Sequence, residues 1–168
     1  TQAEGAPVVI AKTGGKEVSP LALKEIAQFA ASYSNLWKYG FYEGECYCVT
    51  GTQVSKTPRS GEYIKKGGFV IRGKRSYFKV PLGLCIGLEK GNPRLIVCPS
   101  RESLIEKQKM QCFVELEPGD ELEKSEIANT MVKFFNEREK EKERERTGWQ
   151  EKIMQVLPPG KSKIKQVG

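Results

Sequence analysis

The sequence has 168 residues, with 28 Lys and Arg against 21 Asp and Glu, 38% hydrophobic residues and no His. That is long and apolar enough to build a core rather than stay disordered, yet no apolar run approaches the roughly 18–20 residues that cross a bilayer. Without His there is no His general base, no Ser-His or Cys-His nucleophile pair and no His metal ligand, so the expectation is a chain that is not an enzyme and holds no cofactor. The N-terminus lacks the basic, apolar, small-residue succession of a secretory signal, which points to a cytoplasmic protein with no membrane partner.

In chain order, Ala6-Pro7-Val8-Val9-Ile10-Ala11 reads as a buried strand closed by the turn Thr13-Gly14-Gly15-Lys16. Ser19 followed by Pro20 reads as an N-cap with proline at the first helical position. The helix continues to about Ser34, with Leu23, Ile26, Ala27, Ala30 and Tyr33 forming a core-facing stripe; Trp37 and Tyr39 fall in a loop after it. From Phe41 to about Lys90 the signal is β. Cys46-Tyr47-Cys48-Val49 is one strand, Gln53-Val54-Ser55-Lys56 leads out of it, and Thr57-Pro58-Arg59-Ser60-Gly61 is a turn. Phe69-Val70-Ile71-Arg72 and Arg75-Ser76-Tyr77-Phe78-Lys79-Val80 flank Gly73-Lys74, which predicts a short hairpin with cations near its tip. Leu82–Leu88 and Arg94–Cys98 follow as strands, then a short helix from about Ser100 to Lys107 and a strand from Met110 to Leu116. Glu117-Pro118-Gly119-Asp120 is expected to turn the chain. A helix bearing Ile127, Met131, Phe134 and Phe135 runs into the charged stretch Glu137–Arg146, and Trp149 to Leu157 gives one more packed turn. The sum is an α+β fold with a mixed or antiparallel sheet, an N-terminal helix, a central basic β-hairpin region and C-terminal helices.

The five cysteines (Cys46, Cys48, Cys85, Cys98, Cys112) are odd in number and contain no CxxC, so reduced and mostly buried thiols are expected. The glycines between Gly61 and Gly73 match no GxxxxGK[ST], and no helix follows them; a phosphate-cradling nucleotide loop is not indicated.

The positive charge is concentrated. Lys56, Arg59, Lys65, Lys66, Arg72, Lys74, Arg75 and Lys79 lie between residues 51 and 80 with Glu62 as the single acid, so this segment carries the whole net charge of +7 and the rest of the chain is neutral. Such a segment calls for an anionic partner. The interleaved aromatics Tyr63, Phe69, Tyr77 and Phe78 favour nucleic acid over membrane, because bases stack on rings while phosphates pair with Lys and Arg. Lys56, Arg59, Lys65, Lys66, Arg72, Lys74 and Arg75 are the candidate phosphate contacts. Gln53, Ser55 and Ser60 are candidate hydrogen-bonding groups, and Tyr63 and Tyr77 candidate stacking surfaces. Charge alone leaves two alternatives open: a protein-interaction scaffold that docks the same segment on an acidic protein, and a DNA-binding module.

The run Gln53-Val54-Ser55-Lys56-Thr57-Pro58-x-Ser60-Gly61-Glu62-Tyr63-Ile64-x-x-Gly67-x-Phe69-Val70-Ile71-Arg72-Gly73-Lys74-Arg75 resembles the NFACT-R domain. So does Glu25-Ile26-Ala27-x-Phe29-Ala30-x-x-Tyr33-Ser34-x-x-Trp37 upstream of it. The resemblance covers Gly5 to Leu88, and the remainder is similar to the carboxyl-terminal region of archaeal members. It implies an RNA-binding module of a ribosome-associated quality-control factor that binds obstructed large ribosomal subunits. The implied partners are tRNA or large-subunit ribosomal RNA and the remaining domains of a parent protein. The NFACT-N domain and helical arms, to which template-free tailing is attributed, are absent, so RNA binding carries over and tailing does not. The implied organisation is an NFACT-R-like α+β domain over 1–120, a carboxyl-terminal fragment lacking its first strands. A helical extension over 121–157 and a flexible basic tail over 158–168 follow it.

Overall fold

A computed structural model describes residues 7–58, 61, 63–64, 66–91, 94–99, 109–138 and 148–168. The short helix expected at Ser100–Lys107, most of the charged stretch up to Arg146, and Arg59, Ser60 and Lys65 lie outside the described residues.

The first helix, α1, spans Pro20–Ser32, and the Ser19 hydroxyl accepts the Ala22 N–H at 3.2 Å as the cap. A second, short helix, α2, spans Asn35–Lys38 and is capped by Ser34. Trp37 was expected in a loop; it sits in α2, and its ring is buried. Burial is possible because the indole N–H has acceptors, the Lys161 carbonyl at 3.1 Å and the Ser162 hydroxyl at 3.0 Å. Those acceptors come from the far end of the chain, where no local pattern reveals them.

Among the described residues, three antiparallel sheets follow. In the first, β1 (Glu43–Cys48) pairs with β4 (Ser76–Pro81), placing Cys46 opposite Phe78 and Tyr47 opposite Tyr77. In the second, β2 (Val54–Ser55) pairs with β3 (Val70–Ile71). The third has the order β6-β5-β7-β8, built from β5 (Leu84–Glu89), β6 (Leu95–Pro99), β7 (Met110–Leu122) and β8 (Ser162–Val167). Helices α3 (Lys124–Arg138) and α4 (Trp149–Val156) complete an α+β fold.

One face of the large sheet, with Leu84, Ile86, Leu88, Cys112, Val114 and Leu116, packs with Ala27 and Ala31 of α1, Ile127, Ala128 and Met131 of α3, and Ile153 of α4. The inner face of the β1–β4 ribbon joins the same core through Cys46 and Val80. Gly44 lets α1 and α2 approach that ribbon, since a Cβ there would lie 2.6 Å from Leu36 Cδ1. All five cysteines are free thiols and all but Cys48 are buried, as expected. Burial pushes the Cys46 thiol above its ordinary pKa.

Four further expectations are corrected. The stretch 7–11 forms no strand, and Val8 and Ile10 are 73% and 79% exposed: apolar character without a neighbouring strand to pair with does not make a sheet. The hairpin between 69–72 and 75–80 does not form; each run pairs with a strand earlier in the chain. The Val80 side of β4 gains a core by joining β1 that a local hairpin with β3 would not supply. Glu117–Asp120 is no turn but part of β7, where the register shifts between Pro118 and Leu122, both of which face Ser162. Proline is tolerated there because an irregularity needs no ladder N–H from it. Finally, residues 158–168 are not a flexible tail: Ser162–Val167 form β8, paired to β7. Its lysines stay outside and meet carboxylates, Lys165 at 3.4 Å from Glu117 and Lys163 at 3.7 Å from Glu121.

Candidate nucleic-acid interface

The basic segment folds into the two small ribbons, which meet at residues 72–75. Gln53, at the end of the 3-10 turn Gly51–Gln53, holds that junction. Its amide NH₂ donates to the carbonyls of Arg72 and Lys74, both at 2.8 Å. Its Oε1 accepts the Thr50 N–H at 3.0 Å and the Thr50 hydroxyl at 3.2 Å. The Arg72 N–H closes the clamp on the Gln53 carbonyl at 2.9 Å. Gly73 makes this possible: its φ is +84°, and a Cβ there would lie 2.9 Å from Gln53 Nε2. The chain therefore leaves β3 at Ile71 and is redirected into β4.

The remaining candidates fall into three groups. Ser55 is a turn former, accepting the Thr57 N–H at 3.0 Å. Lys56 lies over the Phe69 ring at 5.8 Å, one position beyond the Ser55–Val70 pair of β2 and β3. Tyr63 (88% exposed) and Lys66 lie on that connection, both in solvent. On the outer face of the β1–β4 ribbon, Tyr47 and Tyr77 have ring centroids 5.9 Å apart at 58°, and the Arg75 guanidinium lies 4.7 Å from the Tyr47 centroid. Lys74 and Arg75 are exposed and Arg72 is half-buried. Lys79, further along β4, is engaged: its ammonium is 2.8 Å from Glu43, and that hydrogen bond raises its pKa. On the β1–β4 ribbon Lys74 and Arg75 thus lie at one end, while Glu45 and Glu43 face Lys79 at the other.

The family of NFACT protein RNA binding domains matches residues 1–73. Over those residues the chain is similar to the NFACT-R family.

The archaeal Rqc2 homolog aRqcH of Methanocaldococcus jannaschii is 35% identical over 162 residues, 96% of this chain and 23% of that protein. The ribosome quality control complex subunit NEMF homolog of Drosophila melanogaster is 41% identical over 70 residues, 42% of this chain and 7% of its own length. The human NEMF subunit is 36% identical over 69 residues, 41% of this chain and 6% of its own length. The chain therefore spans less than a quarter of the curated relatives it matches. No solved structure matches it.

The structure brings Gln53, Arg72, Lys74 and Arg75 together and adds Tyr47, a residue that sequence reasoning did not select. Gln53 and Ser55, expected to reach a ligand, spend their side-chain hydrogen bonds within the protein. Tyr47 was legible only through its register with Tyr77, and the strands were expected to pair otherwise.

Proposed function

We propose that this chain is the RNA-binding module of a ribosome quality-control factor, acting by binding and not by catalysis. The observation that carries the reading is that three cations of the segment holding the entire net charge, Arg72, Lys74 and Arg75, lie on one junction whose backbone the Gln53 clamp holds. Cations grouped on one junction suit the phosphates of a folded RNA better than a dispersed basic coat does. The NEMF relatives are named as ribosome quality control complex subunits, which supports transfer RNA or large-subunit ribosomal RNA as the ligand, in the cytoplasm. The chain's role in a parent protein is then to anchor it to that RNA.

The test is a titration of the purified chain against deacylated tRNA, and against isolated large subunits, at several salt concentrations, beside a Lys74→Glu/Arg75→Glu variant. The expected result is salt-sensitive binding whose log–log slope falls by about 0.7 for each phosphate contact removed. Undiminished binding by the folded double variant would exclude this site.

A further inference from the structure

The charge argument explains attraction to any polyanion, but it does not explain the aromatic pair. Tyr47 and Tyr77 stand directly opposite each other on the face of the β1–β4 ribbon turned away from the core. The core face of the same ribbon is made by Cys46 and Val80, so neither tyrosine ring is needed to build it. Their tilted contact at 5.9 Å fixes both rings, and the Arg75 guanidinium at 4.7 Å from the Tyr47 centroid holds that ring from its own side. Tyr77 remains 52% exposed. The result is a paired aromatic surface whose Tyr77 ring is open to solvent, with Arg75 against Tyr47 and the exposed Lys74 next to it in the chain.

We propose that Tyr77, backed by Tyr47 and Arg75, is a stacking platform for one unpaired base, so that the site selects RNA with unpaired nucleotides over continuous duplex. The proposal rests on the RNA-binding reading above and specifies its substrate class. In a duplex the faces of the bases are covered by their neighbours; only phosphates, sugars and base edges are offered, and a ring gains nothing from them. An extruded base offers a whole face, and a ring already immobilised loses little freedom on meeting it. The ribbon also gives the bound strand a direction. Phosphates adjoining the stacked base are drawn to Lys74 and Arg75, and are repelled from the other end, where Glu45 lies opposite Lys79 and Glu43 already occupies that lysine at 2.8 Å.

The test compares a hairpin RNA with a blunt duplex carrying the same number of phosphates, each titrated at fixed salt against the wild-type chain and three variants, Tyr77→Leu, Tyr77→Phe and Lys74→Glu. The wild type is expected to prefer the hairpin by about ten-fold or more, the contribution of one stacked base. Tyr77→Leu should bring that ratio close to one without changing the salt slope, whereas Tyr77→Phe, which keeps the ring, should retain it. Lys74→Glu should weaken both RNAs together and lower the slope. Retention of the preference in Tyr77→Leu, or a wild-type ratio near one, overturns the platform while leaving RNA binding intact. Failure of the folded wild-type chain to bind either RNA overturns both readings.

Discussion

Replacing Gln53 by Ala separates two roles for this residue that the sequence alone cannot distinguish. The substitution removes two hydrogen bonds to the carbonyls of Arg72 and Lys74 at 2.8 Å, and two from Thr50 at 3.0 and 3.2 Å. The side chain is half-buried and its partners can be rehydrated, so each bond contributes near the lower end of the usual net range. Together they stabilise the junction by about 1–3 kcal/mol. The Arg72 N–H, whose own bond to the Gln53 carbonyl at 2.9 Å is not deleted, reports that loss. Its amide hydrogen exchange should quicken by roughly 5- to 150-fold. RNA affinity should fall by no more than the same factor, as the looser loop must be ordered on binding. The salt slope should not change, because no charge is lost. An RNA affinity that drops while Arg72 exchange stays at the wild-type rate would refute the clamp and make Gln53 a direct contact.

Two further substitutions probe the frame that holds the site. The buried Ser32 hydroxyl donates to the Gly83 carbonyl at 3.1 Å and accepts the Gly83 N–H at 3.0 Å, so Ser32→Ala strands both backbone groups. It should cost about 2–5 kcal/mol in urea unfolding, and a loss well below 1 kcal/mol would contradict the bonding described. Burial pushes the Tyr33 phenol from 10.0 up to about 12, and its O–H donates to the Val156 carbonyl. The unfolded chain gives up this proton first, so the associated stability is complete below about pH 10 and is lost as pH rises towards 12. The stability difference between wild type and Tyr33→Phe should therefore shrink by about 2–3 kcal/mol over that window. A difference independent of pH would exclude the shift.

What could be read in advance was whatever local chemistry decides. Ser19-Pro20 starts α1 because a cap and a fixed φ act within a few residues, and the apolar runs of β5 and β6 announce buried strands by themselves. Partners chosen at long range were not legible. Gly73-Lys74 has the composition of a hairpin turn, yet the Gln53 amide uses it to divert the chain, and that contact joins residues about twenty positions apart. β8 was hidden by its lysines. In Ser162–Val167 the inward positions are only Ser162 and Ile164, while Lys163 and Lys165 face carboxylates of β7, so the alternation is present but its apolar half is weak. The candidate site shared this limitation: its cations were evident from composition, but Tyr47 acquires meaning only from the strand opposite.

The indole of Trp37, bound to Ser162 across most of the chain, bears on where such a module can be cut. The match to the NFACT RNA binding domain stops at residue 73, inside the Gln53 clamp and before β4, the partner of β1. A chimera made by transplanting only the matching stretch would carry β1 with an empty edge, Trp37 without its acceptors, and half of the tyrosine pair. The domain match and mechanical wholeness have different borders here, and a functional graft must take the strands and helices that follow, down to the closing turn of Gly160 against Lys38 and the last strand beyond it.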